Sequence, residues 1–138
     1  MVTWKNLDTL ASYAELEKVA KVNLPEVMTG ANGGERVKKY TVAMGAGLNY
    51  NYAAKKVDDE VLAALGKLAE EAQLIEKYEA LYNGEMINTG EKRLVLHQMC
   101  RGQLGEAVVA DGVDKRAFYT GEQKKIEEFA NKVHAGEI

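Results

Sequence analysis

The sequence predicts a mainly α fold carrying one small β-hairpin. Three observations lead there. Apolar residues recur at three- and four-residue spacing through several segments, and period-two alternation is confined to residues 39–53. A single proline, Pro25, leaves the helical stretches uninterrupted.

The elements follow in order. From Asp8 to Ala20, the positions of Leu7, Leu10, Tyr13, Ala14 and Leu16 predict a first helix, with Asp8 as its cap. Pro25 suits the first turn of a second, short helix, which Gly30, Gly33 and Gly34 close. Tyr40, Val42 and Met44, then Leu48, Tyr50 and Tyr52, alternate with small or polar residues on either side of Gly45-Ala46-Gly47. That pattern is a hairpin with its turn in the glycines, and its aromatic face needs helices against it.

The clearest helix follows, capped by Asp58 or Asp59 and striped by Val61, Leu62, Leu65, Leu68, Ala69 and Ala72. Another, through Leu74, Ile75, Tyr78, Leu81 and Tyr82, ends at Asn83-Gly84. Thr89 is placed to cap a helix running through Leu94-Val95-Leu96 to Cys100, apolar around much of its girth and so buried on more than one side. Residues 102–119, with Gly102, Gly105 and Asp111-Gly112, read as an ordered loop holding one brief strand. Thr120 and Gln123 have capping-box spacing for a last helix, with Ile126, Phe129, Ala130 and Val133 on one face and Gly136 as its stop.

At 138 residues the chain fits a single helical domain, 1–138. A net charge of -3, from 18 basic and 21 acidic residues mixed along the chain, offers no field for nucleic acid or an anionic membrane. The longest basic runs are only pairs, such as Lys38-Lys39, Lys55-Lys56 and Lys124-Lys125, and such pairs belong to solvated faces. The lone cysteine, Cys100, suits a reducing compartment. The first residues lack a signal-peptide apolar core, and no window reaches the length of a membrane span. The expectation is a cytoplasmic protein binding neither nucleic acid nor membrane.

Chemistry is sparse. Ser12 is the only serine and lies in the first helical pattern, not on the sharp turn that displays a nucleophile. Neither phosphate-loop glycine pattern occurs, and Gly45-Ala46-Gly47 joins two strand patterns instead of a strand and a helix. His97 and Cys100, at i and i+3, would share a helix face. A zinc site needs about four ligands, and the only other histidine is His134. The pair is therefore read as a core histidine beside a buried, inert cysteine. Asp58-Asp59-Glu60, Glu70-Glu71 and Glu127-Glu128 fall at helix starts or on polar faces, where acids aid capping and solubility. Glu85, Arg93 and Arg101 lie near apolar segments and read as partly buried, any ion pair among them being structural. No catalytic, cofactor-binding or metal-binding residue is expected.

One run is specific. From Leu81 to Arg101 the chain carries Asn83-Gly84-Glu85, Ile87-Asn88, Glu91, Arg93, Val95-Leu96-His97 and Arg101 in register. This resembles the glucose-6-phosphate isomerase family, with its F-N-G-E-x-I-N run followed by E-x-R-x-V-L-H-x-x-x-R. Leu48 and Tyr50, Leu68-Ala69-Glu70-Glu71-Ala72, Ala110-Asp111-Gly112 and Val133-His134-Ala135-Gly136-Glu137 are also similar to family segments. The resemblance runs from about Glu35 to the end.

What it implies is the N-terminal helical region of a sugar-isomerase α/β protein. The reaction is then aldose–ketose isomerisation, glucose 6-phosphate to fructose 6-phosphate, in glycolysis and gluconeogenesis. The family's phosphate-binding serines and threonines, its glutamate base and its ring-opening histidine and lysine follow in segments this chain does not contain. The resemblance therefore implies a piece inactive alone, from a parent that binds sugar phosphate and is homodimeric. Arg93 and His97 would then support packing. The competing expectation is a stand-alone helical interaction module. A piece of a larger protein should bare an apolar patch, expected near Val95–Cys100, where such a module would not.

Overall fold

A computed structural model describes residues 2–102 and 105–138, and its two compact units are formed by Thr3–Ala72 and by Gln73–Ile138. The described residues are mainly helical with a small antiparallel hairpin, as the periodicity predicts, and carry a second two-stranded antiparallel sheet that it does not.

The first unit opens with a 3-10 turn, Leu7–Thr9, then α1 (Ala11–Lys18), α2 (Leu24–Thr29) and α3 (Gly33–Lys39). Strands β1 (Thr41–Ala43) and β2 (Asn49–Asn51) pair antiparallel with Val42 opposite Tyr50, and α4 (Asp59–Glu71) closes the unit against α1. The hairpin and its glycine turn are where alternation places them. Ala46 and Gly47 both take positive φ there, and Met44 N–H donates to Leu48 O at 2.7 Å. Tyr40 is buried and packs tilted on Tyr52 at 5.4 Å, while Tyr52 stacks on Tyr50 at 5.8 Å.

Two expectations are corrected in this unit. Asp8 does not cap α1, whose N-cap position is Leu10, a residue with no side-chain acceptor. The cap comes from the far end of α4, where the Glu71 carboxylate accepts from Ser12 N–H at 2.8 Å and from Ala11 N–H at 3.3 Å. The glycines after Pro25 do not remain a loop either, because Gly33 starts α3. A Cβ at Gly33 would stand 2.2 Å from Met28 O, so only glycine lets α2 and α3 turn on each other this closely. Asp58, by contrast, caps α4 as predicted, accepting from Val61 N–H at 2.9 Å.

The second unit holds α5 (Leu74–Tyr82), a 3-10 turn at His97–Cys100, the two-residue strands β3 (Val109–Ala110) and β4 (Val113–Asp114), and α6 (Lys115–His134). Gln73 sits in the left-handed region between α4 and α5. Gly84, with φ +75°, ends α5, and Glu85 N–H donates to Ala80 O at 2.9 Å.

The helix expected from Thr89 to Cys100 does not form. Asn88 Oδ1 accepts from Glu91 N–H at 3.1 Å, and Arg93 N–H donates to Asn88 O at 3.2 Å. With Lys92 at positive φ, these close a tight loop in which the Asn88 side chain competes with helical hydrogen bonding. Only His97–Cys100 keeps one 3-10 turn, and its buried residue is Met99.

The loop predicted over 102–119 is shorter than expected, and residues 103 and 104 lie outside the described residues. Asp111 and Gly112, both at positive φ, form the two-residue turn between β3 and β4. The last helix starts at Lys115, five residues before the Thr120 signal. Its cap is Asp114, which accepts from Arg116 N–H at 3.0 Å. Thr120 Oγ1 donates back to Arg116 O within the helix, and Gln123 Nε2 donates to Cys100 O at 2.6 Å. Gly136 stops the helix as predicted: its own N–H donates to Val133 O, and Glu137 N–H to Lys132 O.

Candidate functional site

Two arginines organise the polar interior, one in each unit, and neither is evident from sequence. Arg36, on α3, is buried. Its Nε donates to Ala53 O at 2.9 Å, and its Nη2 donates to Lys55 O at 3.0 Å and Val57 O at 2.7 Å. The guanidinium also lies 4.5 Å from the centre of the Tyr40 ring. A planar fork of donors thus holds the irregular chain between β2 and α4 by its carbonyls, a task that suits arginine's rigid geometry.

Arg116, at the start of α6, does the same for the second unit. Also buried, it donates from Nε to Glu106 O and from Nη2 to Tyr82 O, with its guanidinium 5.2 Å from the Tyr82 ring centre. Next to it, a Cβ on Gly84 would meet Val108 Cγ1 at 2.4 Å. Part of the family-like run is therefore a packing knot: Asn83-Gly84 ends α5, and the Tyr82 carbonyl receives α6.

Around Arg36 lies an open groove of about 820 Å³, lined by residues from Glu26 to Tyr40. Its cations have partners: Lys38 pairs with Glu35 at 2.8 Å, and Lys39 pairs with Asp59. Tyr40 Oη donates to the same Asp59 carboxylate at 3.1 Å. The Lys39 bond, then the Tyr40 bond, holds the Asp59 carboxyl below its ordinary value. Burial, aided by Asp59, pushes the Tyr40 phenol up. This is a structural triad with no group poised to give or take a proton near neutrality.

His97 and Cys100 border a shallow depression of about 170 Å³ with Leu94, Leu96 and Tyr119. Both are exposed, so the expected buried pair is corrected: the turn that carries them presents Met99 inward instead. Glu85, Arg93 and Arg101 are likewise exposed, and the ion pairs among the described residues do not include them. Among the described residues no three His, Cys, Asp or Glu side chains gather as metal ligands. No helix among them is long and apolar enough to cross a membrane.

The described geometry is that of a helical scaffold fixed by arginine–carbonyl clamps and tight glycine contacts. The family model described as phosphoglucose isomerase matches residues 51–138. This chain belongs to that family. It is 53% identical to the glucose-6-phosphate isomerase of Treponema denticola over 140 residues, covering 98% of this chain and 27% of that protein. Against the glucose-6-phosphate isomerase of Treponema pallidum (strain Nichols) it is 45% identical, covering 98% of this chain and 26% of the relative. With that of Borreliella burgdorferi (strain B31) it shares 40% identity, covering 100% and 26%. The chain thus spans about a quarter of the length of the curated relatives it matches. The similarity also takes in the residues before Glu35, where family-like segments are not evident by eye.

Proposed function

We propose that these 138 residues are the N-terminal helical part of a cytoplasmic glucose-6-phosphate isomerase and do not catalyse isomerisation alone. In the intact protein the reaction is an aldose–ketose isomerisation: the sugar ring opens, and a proton moves between adjacent carbons through a cis-enediol. That step needs a base beside the carbon acid and hydroxyl or amide donors around the phosphate. Arg36 and Arg116 are committed to main-chain carbonyls, Asp58, Glu71 and Asp114 cap helices, and Asp59 pairs with Lys39. Their part is to hold a scaffold. Sugar phosphate is then bound by the intact, homodimeric parent.

The observation that carries this reading is the coverage. Nearly the whole chain aligns with each relative, and each relative extends to about four times the aligned length. The test is a coupled assay for fructose 6-phosphate formation on the 138-residue chain and on the same chain joined to the remainder of the T. denticola isomerase. The joined protein should turn over and the short one should not. Turnover by the short chain defeats the proposal, and silence from both favours a stand-alone interaction module.

A further inference from the structure

Helix α6 is packed along only half its length. Arg116, Tyr119, Gln123, Ile126, Ala130 and Val133 follow one another at alternating three- and four-residue spacing, which places them on one helix face. The first three are engaged. Arg116 is clamped on Tyr82 and Glu106, Tyr119 borders the depression beside the His97–Cys100 turn, and Gln123 donates to Cys100 O.

Beyond Gln123 the same face is largely bare among the described residues, with only Ala130 half-buried. Ile126 is 67% exposed, the flanking Phe129 62% and Val133 45%. The remaining faces there carry Lys124, Lys125, Glu127, Glu128 and Lys132. About ten residues of helix with a bare apolar stripe are marginal in water without a partner, however well the end is capped.

We propose that the stripe of Ile126, Phe129 and Val133 is a docking seat for the part of the isomerase chain that lies outside these residues. The inference rests on the reading under Proposed function. A second copy of this chain is the weaker occupant, because three side chains expose only roughly 300 Å², well below the ~800 Å² per partner of a stable dimer. An apolar surface joined through the same chain needs no such area, since linkage supplies a high effective concentration. The relatives, about four times as long, have that chain to offer.

The test uses Ile126→Cys, with Glu128→Cys on the opposite face as control, in the short chain and in the fusion to the T. denticola remainder. Maleimide labelling is read residue by residue by mass spectrometry. In the fusion, labelling at 126 should slow about tenfold or more relative to the short chain, with 128 unchanged. Equal labelling at 126 in both overturns the inference. So does protection already present in the short chain, whether it rises with concentration, as a second copy predicts, or stays constant, as self-coverage predicts. The isomerase assay on the fusion separates the two proposals: an active fusion with a reactive 126 removes the docking seat alone, and a protected but inactive one removes the functional reading alone.

Discussion

Arg36 and Gly84 show how single residues hold this chain together. Arg36 satisfies three main-chain carbonyls with one planar group. Lysine keeps the charge but lacks the fork, so Arg36→Lys should strand part of that set and cost on the order of 2 kcal/mol. Thermal melting checks this, and an unchanged midpoint would show that the clamp is dispensable. Gly84 combines positive φ with a Cβ position 2.4 Å from Val108 Cγ1. Gly84→Ala should therefore cost roughly 2–4 kcal/mol from backbone strain plus overpacking. Gly34 has nothing within 4 Å of its Cβ position and lies within α3, so Gly34→Ala should stabilise, by about 0.5–1 kcal/mol. If both alanines destabilise equally, the contact with Val108 is not the cause.

At the scale of elements, α1 is the instructive case, since its cap is borrowed from α4. The nearby Ser12 hydroxyl, then the Ser12 and Ala11 amides, hold the Glu71 carboxyl below its ordinary value of 4.5. Ser12 Oγ is buried and makes no hydrogen bond of good geometry, so the two amides are the bonds that define the cap. A depressed carboxyl contributes stability that is complete above the unfolded value and lost as pH falls through the folded one. The start of α1 should therefore loosen as pH drops below about 4.5. The Ala11 and Ser12 amide proton shifts should titrate together there, below an ordinary glutamate. Glu71→Gln keeps an acceptor but removes the charge, and should abolish that titration. Shifts that still move in the variant would assign the titration to another group.

For the whole molecule, the chain spans about a quarter of the length of its relatives. The described residues hold clamps, caps and a tyrosine–aspartate–lysine triad, and the apolar half of α6 lies bare. A patch near Val95–Cys100 was the place expected for a missing partner. Leu94, Val95 and Leu96 are instead half-buried, and exposed apolar side chains stand on the last helix at Ile126, Phe129 and Val133, as well as on α5 at Leu74, Ile75 and Tyr78. The fusion experiments act at this scale: catalysis and protection of residue 126 should both appear when the chain is extended.

Sequence by itself determined the helical class, the hairpin with its glycine turn, the Asp58 cap, the stops at Gly84 and Gly136, and the family. Each of these depends on local periodicity, local caps or residue identity in register, all written within a few residues. Tertiary structure decided the rest. Glu71 reaches α1 across some sixty positions of chain, and Asn88 turned a helical pattern into a loop. Thr120 and Gln123 have the spacing of a cap yet serve inside a helix, because Asp114 caps it first. The two buried arginines had no local signature, since the carbonyls they hold lie 10 to 34 residues away. A charge is tolerated in an interior only where distant backbone supplies its acceptors, and spacing alone does not reveal that arrangement. Sequence drew the apolar stripe of α6 as well, but only the fold showed that Ile126, Phe129 and Val133 on it are exposed.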